Sequence, residues 1–174
     1  MPDLAILIGL QASGKTTFYR QCLSATHVHV SKDLFPRRAR GKQSRQLRLI
    51  AEALESGRSV AVDNTNPSPQ EWEPLIALGR RHAARVTAYW FPPDVAASKD
   101  RNAARPLVIQ VPDVGIYATL KRLRRPSPRD GFDEIRVVGH DGVGGFVTRR
   151  ELTTPGRPSP TGPGAPAPGG GPAG

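Results

Sequence analysis

The residues best suited to chemistry form a glycine-rich loop near the start of the chain. An apolar run ending at Gly9 leads directly into the pattern G-x-x-x-x-G-K-T, which closes at Thr16. Such a loop turns its backbone N–H groups inward around an anion, while the lysine contacts the outer phosphates and the threonine hydroxyl can hold Mg²⁺. A glycine turn with a solvated lysine is the alternative, but the strand before the loop and the helix after it favour a nucleoside triphosphate site. The predicted nucleotide-binding residues are Gly9, Gln11, Ala12, Ser13, Gly14, Lys15, Thr16 and Thr17.

Two aspartates follow predicted strands, at the edge of the sheet where open α/β folds bind their ligands. Asp33 comes just after a strand at 27–30. It is either the N-cap of the next turn or a general base that accepts a proton from an acceptor hydroxyl, and its position alone leaves both open. Asp63 follows a strand at 59–62 in the manner of a Walker-B carboxylate. We predict that it holds Mg²⁺ together with Thr16, in preference to an Asx turn.

Basic residues form two groups that are suited to binding anions. Arg101 and Arg105 are four residues apart on a predicted helix, so they lie on one face. Two adjacent guanidinium groups repel unless an anion lies between them, which suits a lid over phosphates; an ion pair with Asp100 is the alternative. The second group lies in a loop without acids and is predicted either to contact an acidic acceptor or to be solvated. It comprises Arg37, Arg38, Arg40 and Lys42.

Two histidines and a cysteine are predicted to have no catalytic role. His27 and His29 alternate with valines, so they share one face of a short strand. Two histidines at this spacing can ligate a metal, but no third ligand is near them in the sequence. We therefore predict that they are surface residues of an edge strand. Cys22 is predicted to be a small hydrophobic residue of the first helix.

Strands and helices alternate along the chain according to its hydrophobic periodicity and turn signals. A helix near residue 70 begins either at Pro69, after a capping-box pattern at Ser68, or at Pro74, which lacks the N–H that a helix interior needs. This order predicts an α/β fold with a mostly parallel five-stranded sheet and a helical lid at 101–112. Strands are predicted at 4–9, 27–30, 59–62, 85–91 and 133–138, and the other helices at 15–24, 44–56, 94–105 and 113–125.

Composition changes after residue 138 and divides the chain into two parts. Residues 1–138 are predicted to form one domain. Residues 139–174 are dominated by Gly, Pro, Ser, Thr and Ala, so they are predicted to be a disordered tail. Phe146 and Val147 are the exception, because they can add a short edge strand.

Charge and cysteine content bound the setting of the protein. The net charge of +10 in 174 residues favours polyanionic partners, although an arginine-rich composition also arises without any nucleic-acid role. A single cysteine excludes an internal disulfide and fits a reducing compartment. Neither an 18-residue apolar run nor a basic N-terminal leader is present, so we predict a cytoplasmic protein with no membrane partner.

Taken together, the motifs resemble one enzyme family. The phosphate loop, Ser31-Lys32-Asp33, Asp63-Asn64-Thr65-Asn66 and Arg101-Asn-x-x-Arg105 occur in this order, and Val111-Pro-Asp-Val and Gly131-Phe-Asp-Glu-Ile follow. Residues 3–138 are similar to the kinase domain of the polynucleotide 5′-kinases of phage and of animal kinase-phosphatases. That resemblance implies a P-loop NTPase three-layer sandwich, ATP as donor, Mg²⁺, and the 5′-hydroxyl of DNA or RNA as acceptor.

The resemblance also assigns roles to individual residues. Lys15 and Thr16 would bind the triphosphate and Mg²⁺, with Asp63 supporting the metal. Asp33 matches the aspartate that activates the 5′-hydroxyl. Arg105 matches the lid arginine that stabilises the transferring phosphoryl group, with Arg101 beside it. On the acceptor side, the implied residues are Asn66 and either Arg37 or Arg38.

The chain departs from the family pattern at the acceptor side. The family commonly has Asn-Arg-Asp where this chain has Ser31-Lys32-Asp33, and Pro36 precedes the two candidate acceptor arginines. Family members usually carry a fused phosphatase or ligase. Two alternatives therefore stay open: a small-molecule kinase acting on a sugar, nucleoside or antibiotic hydroxyl, and an ATP-binding regulatory module without transferase activity.

Overall fold

A six-stranded sheet forms the centre of the molecule, which is a computed structural model describing residues 1–151. The strand order is β2-β3-β1-β4-β5-β6. Strands β1 to β5 pair in parallel, and β6 pairs antiparallel with β5. The strands are β1 Asp3–Ile8, β2 His27–Val30, β3 Ser59–Asp63, β4 Arg85–Trp90, β5 Glu134–His140 and β6 Phe146–Glu151.

Helices cover both faces of the sheet, which is why the central strands are apolar throughout. On one face, alternate residues of β1 such as Leu4 and Ile6 pack with Trp72 and Leu75 from the helix after β3. On the other face, Leu7 packs near Phe18, which follows the phosphate loop. The helices are α1 Lys15–Phe18, extended by a π-helical turn Tyr19–Leu23, then α2 Lys42–Glu55, α3 Pro69–Arg81, α4 Val95–Ala103 and α5 Asp113–Arg122.

The helix starts differ from two of the predictions. Helix α2 begins at Lys42, not after Ser44, because Gly41 adopts a left-handed conformation (φ 64°) that glycine tolerates without strain. Helix α3 begins at Pro69 and continues through Pro74. Trp72 and Leu75 on either side of Pro74 are fully buried, and this packing offsets the missing backbone hydrogen bond. Within residues 1–151, no helix is long and apolar enough to cross a membrane.

The sheet has one strand more than the five predicted. Strand β5 runs through the predicted domain boundary at 138, and β6 pairs with it along its whole length from His140↔Phe146 to Ile135↔Glu151. The folded part therefore includes residues up to 151, and the predicted tail from 152 onward lies outside the described residues. Glu134 is buried on β5 and forms ion pairs with Arg85, Arg136 and Arg150, so charged pairing joins β4, β5 and β6.

Candidate active site

Glycine is required by geometry at both ends of the phosphate loop. The Gly9 N–H donates to the carbonyl of Thr65 (3.0 Å), and a Cβ atom at Gly9 would lie 2.8 Å from that of Phe91. Gly14 has a φ of 98°, and a Cβ atom there would lie 3.0 Å from the His140 ring. The loop is thus fixed between the end of β3 and the β5–β6 hairpin.

Lys15 is turned into the loop and is almost completely buried, with 7% of its surface exposed. Its ammonium donates to the carbonyls of Gly9 (3.1 Å) and Leu10 and to the Ser13 hydroxyl (3.2 Å). Burial lowers the pKa of Lys15 to about 8; the charges of Asp63 and Asp33 oppose this shift, and that of Arg105 adds to it. The charges of three predicted site residues, Asp63, Asp33 and Arg105, therefore all act on Lys15.

Thr16 and Asp63 lie together at the ends of α1 and β3, as predicted for a metal site. The Thr16 hydroxyl donates to Oδ2 of Asp63 (2.7 Å), and Asp63 is 5% exposed. Burial alone would raise the pKa of the Asp63 carboxyl, but the hydrogen bonds from His29 and Thr16 and the charge of Lys15 hold that pKa below its ordinary value. The carboxylate is therefore ionised at neutral pH.

These oxygen atoms fit Mg²⁺. No group of three His, Cys, Asp or Glu side chains that could hold a metal occurs in residues 1–151. Mg²⁺ does not need such a cage, because it commonly keeps several waters and binds through one or two carboxylates together with substrate phosphates. Thr16 and Asp63 next to a phosphate loop supply that kind of donor set.

Asp33 lies on a short 3₁₀ turn, Lys32–Leu34, whose backbone is held by side chains. The Ser31 hydroxyl accepts from the Asp33 N–H (3.3 Å), and the Asn64 amide oxygen accepts from the Lys32 N–H (2.9 Å). Ser31 is therefore the cap of this turn, and Asp33 does not serve as its N-cap. Asp33 itself is exposed.

A buried glutamine on α2 orients this turn, and the sequence analysis did not identify it. Gln46 is 1% exposed, and its side-chain oxygen accepts from the Asn64 amide (2.7 Å). Asn64 in turn holds the turn that carries Asp33. The available signal was a polar residue on the apolar face of the helix, four positions before buried Ile50.

The predicted lid is docked on the phosphate loop. Arg101 donates from Nε to the Ala12 carbonyl (2.6 Å), so it does not pair with Asp100. Gln11 donates to the Thr119 hydroxyl on α5 (2.8 Å), which ties the helix after the predicted lid to the same loop. Arg105 is half-buried and forms no ion pair with any residue up to 151.

Asn102 explains the spacing between the Arg101-Asn-x-x-Arg105 motif and the Val111-Pro-Asp-Val motif. Its amide nitrogen donates to the Val111 carbonyl (2.7 Å), and its amide oxygen accepts from the Val111 N–H (2.9 Å). This paired contact closes the segment 103–110 into a loop and fixes the start of α5. The position of Arg105 within that loop therefore depends on Asn102.

The predicted acceptor residues have different surroundings. Arg37 and Arg38 are exposed and form no ion pair with the described residues, so their charges are available to an anion. Asn66 is 3% exposed and donates to the carbonyls of Leu7 (2.7 Å) and Val62 (3.4 Å). Asn66 thus joins the ends of β1 and β3, and its support of the acceptor side stays a prediction.

His27 and His29 differ from the predicted surface residues. Strand β2 is an edge strand, as expected. His29 nevertheless contacts Asp63 through Nε2 (2.9 Å), and His27 contacts Asp3 through Nε2 (3.1 Å). Sequence spacing shows that the two rings share a face but does not reveal which acids of the neighbouring strands they meet.

Comparisons with known proteins agree with this geometry. Residues 4–126 match the family model described as AAA domain (AAA_33). A bifunctional polynucleotide phosphatase/kinase from Schizosaccharomyces pombe is 21% identical over 140 residues, which is 78% of this chain and 33% of that protein. The chain thus spans about a third of that relative's length.

Solved structures share the fold at low sequence identity. A chain of the Pnkp1/Rnl/Hen1 RNA repair complex aligns with a TM-score of 0.61 and 22% identity, covering 70% of this chain and 44% of that one. A gluconokinase from Sinorhizobium meliloti 1021 aligns with a TM-score of 0.54 and 16% identity, covering 80% and 84%. Since the family model covers most of the described residues, this chain belongs to the AAA_33 family of AAA domains and has the P-loop kinase fold.

Proposed function

We propose that this chain is an ATP-dependent kinase that transfers the γ-phosphate to the 5′-hydroxyl of DNA or RNA. One observation carries the proposal: Lys15 is buried in a phosphate loop on which the Arg101–Arg105 segment is docked through Arg101, and Asp33 is exposed just after β2. A donor loop, an exposed carboxylate and a lid arginine are the parts that phosphoryl transfer needs. The family relationship supports ATP as the donor.

On the donor side, the residues bind and orient the triphosphate. The Lys15 ammonium, now bonded to loop carbonyls, is placed to exchange those contacts for phosphate oxygens. Thr16 and Asp63 would hold Mg²⁺, which neutralises charge on the outer phosphates. Arg105 lies on the lid segment, and its guanidinium stabilises the negative charge of the phosphoryl group during transfer.

On the acceptor side, Asp33 acts as a general base. Its carboxylate takes the proton of the acceptor hydroxyl as the acceptor oxygen forms its bond to the γ-phosphorus. The bond between that phosphorus and the β–γ bridging oxygen breaks, and ADP leaves with the electron pair. Arg37 and Arg38, exposed beside Asp33 in the chain, contact the acceptor's phosphates.

The open acceptor side favours a polymer over a metabolite. Asp33, Arg37 and Arg38 are all exposed, whereas a small-molecule acceptor is usually enclosed by its pocket. A sugar kinase is the second candidate, because the gluconokinase shares the fold over most of its length. The surplus of basic residues adds to the case for a polyanion.

Label transfer from γ-labelled ATP distinguishes these candidates. The wild-type chain is incubated with 5′-hydroxyl DNA and RNA oligonucleotides, with 5′-phosphorylated versions of the same oligonucleotides, and with gluconate. We expect label on the 5′-hydroxyl oligonucleotides alone, and none with Lys15→Ala. Glu55→Ala, an exposed acid at the far end of α2, is the matched control and should transfer as the wild type does.

Two outcomes would count against the proposal. Label on gluconate but not on oligonucleotides would identify a sugar kinase. ATP binding with no label on any acceptor would identify a nucleotide-binding module without transferase activity.

A further inference from the structure

A histidine of the edge strand contacts the metal-supporting acid of the proposed ATP site. His29 Nε2 lies 2.9 Å from Oδ2 of Asp63, and His29 is 22% exposed while Asp63 is 5% exposed. An ionised carboxylate can only accept hydrogen bonds, so His29 must be the donor and must carry its proton on Nε2. None of the roles proposed above uses this contact.

Both hydrogen bonds to the Asp63 carboxylate fall on the same oxygen. Thr16 donates to Oδ2 at 2.7 Å and His29 donates to Oδ2 at 2.9 Å. Two donors on one oxygen fix the plane of the carboxylate and leave Oδ1 for another partner. The Thr16 hydroxyl uses its hydrogen in the bond to Asp63, so its oxygen can still act as an electron-pair donor.

The imidazole is itself held in one orientation. Its ring stacks on Tyr19 with centroids 4.1 Å apart and an angle of 12° between the planes. The Tyr19 hydroxyl donates to the carbonyl of His27 (3.0 Å), which fixes Tyr19 against β2. The chain of contacts therefore runs from the helix after the phosphate loop, through β2, to the acid at the end of β3.

We propose that His29 is a positioning residue for the Mg²⁺ site: by donating to Oδ2 it would hold the Asp63 carboxylate and leave Oδ1 available to the metal. This proposal rests on the proposed ATP site but not on the identity of the acceptor. Partners of this kind around a metal ligand commonly change metal affinity by about 10–100-fold when they are removed. Because phosphates supply most of the Mg²⁺ affinity in such a site, we expect the lower end of that range.

The test measures Mg²⁺-dependent nucleotide binding and requires no activity. A fluorescent ADP analogue is titrated with the full chain across a series of Mg²⁺ concentrations and in EDTA. His29→Phe keeps a ring for Tyr19 but removes the donor. Mg²⁺ should strengthen binding of the ADP analogue, and we expect His29→Phe to raise the Mg²⁺ concentration at which half of this effect is reached on the order of tenfold. The affinity for the analogue in EDTA should not change. His29→Gln, whose amide can still donate, should restore most of the wild-type response.

The neighbouring histidine supplies the matched control. His27→Phe removes the contact with Asp3 at the other end of the same strand and should leave the Mg²⁺ response unchanged. If His29→Phe does not fold, as judged by thermal unfolding, His29→Val takes its place, since a β-branched residue suits an edge strand. An unchanged Mg²⁺ response in the folded variant would overturn the proposal, as would an equal shift in His27→Phe. An acceptor other than a 5′-hydroxyl would overturn the proposed function alone.

Discussion

At the scale of single residues, Lys15 connects the parts of the proposed site. Its ammonium donates hydrogen bonds to loop carbonyls. The charges of Asp33, Asp63 and Arg105 also affect its pKa. A buried ammonium close to neutrality is sensitive to what enters the loop, because a phosphate favours its charged form. This sensitivity can be measured.

The affinity for ADP should depend on pH through Lys15. In the ligand-free chain the pKa of Lys15 is about 8, and contact with phosphate raises it. Below pH 8 the lysine is already protonated, so affinity should be level. Above pH 8 binding must take up a proton, so affinity should fall by up to about tenfold per pH unit. Calorimetric titration in EDTA between pH 7 and pH 10 measures this.

Arginine in place of Lys15 provides the control for the pH dependence. Lys15→Arg stays charged over the whole range, so its affinity, even if weaker, should show no such fall. A wild-type chain with level affinity up to pH 10 would show that Lys15 does not contact the phosphates.

Arg105→Ala should slow phosphate transfer far more than it weakens nucleotide binding. The guanidinium is half-buried, has no ion-pair partner among residues 1–151, and is close enough to Lys15 to shift its pKa. If it acts as an arginine finger does, kcat should fall by on the order of 10³. Arg81→Ala, an exposed arginine at the end of α3, should have no effect. Equal losses in kcat and in ADP affinity would indicate a ground-state contact instead.

The residues of the phosphate loop could be identified from sequence because chemistry and local backbone both constrain them. Gly9 and Gly14 occupy positions that exclude a Cβ atom, and Thr16 meets Asp63 as predicted. The contact of His29 with Asp63 and those of Asn66 with Leu7 and Val62 were not predicted, since they depend on how the strands pair. Histidine and asparagine at strand ends serve structure and chemistry equally well, so residue type did not decide.

At the scale of elements, the turn that carries Asp33, the proposed base, depends on a buried residue of helix α2. Helix α2 places Gln46 against Asn64, and Asn64 holds the turn that carries Asp33. Strand β3 thus supports the donor side through Asp63 and the acceptor side through Asn64. The alternation of strands and helices was predictable because apolar residues recur at the spacing typical of strands or of helices. The first residue of α2 was not predictable, since Gly41 ends the preceding loop three residues before Ser44.

Gln46→Met should impair transfer without affecting nucleotide binding. Methionine has a similar size but cannot accept from Asn64, which would leave a buried amide hydrogen unpaired at a cost of about 1–3 kcal/mol. The Asn64 amide is then free to rotate, so the Asp33 turn loses its anchor. We expect a lower kcat with unchanged ADP affinity, and a lower midpoint of thermal unfolding. Leu47→Met, a half-buried neighbour on α2, is the control for helix stability.

At the scale of the whole molecule, the net charge bears on the choice of acceptor, and the sixth strand sets the extent of the sheet. The net charge of +10 and the arginines of the 37–40 segment, which form no ion pair with residues 1–151, suit a polyanionic acceptor. The β5–β6 hairpin extends the sheet beyond the predicted domain limit and places His140 and Phe146 against Gly14. The sequence indicated a short edge strand at Phe146 and Val147 but not the full length of β6, because a glycine-rich turn and mostly exposed residues have the composition of a loop as well.

Binding of a single-stranded oligonucleotide should weaken steeply with salt. Each phosphate neutralised by a basic residue contributes about 0.7 to the slope of log affinity against log salt concentration. The double variant Arg37→Ala/Arg38→Ala removes two such contacts and should therefore reduce the slope by about 1.4. Arg58→Ala/Arg81→Ala removes the same charge at the opposite edge of the sheet and should reduce it less. Equal slopes in the two variants would argue against contacts between Arg37 and Arg38 and the phosphates of the oligonucleotide.

The most direct test of the account is the rate of phosphate transfer by Asp33→Asn. Asparagine keeps the size and the turn, whose anchors are Ser31 and Asn64, but cannot take the hydroxyl proton. With γ-labelled ATP and a 5′-hydroxyl oligonucleotide, we predict a single-turnover rate lower by about 10²–10⁴, with wild-type affinity for ADP. Transfer by Asp33→Asn at the wild-type rate would contradict the assignment of Asp33 as the base on which the proposed reaction depends.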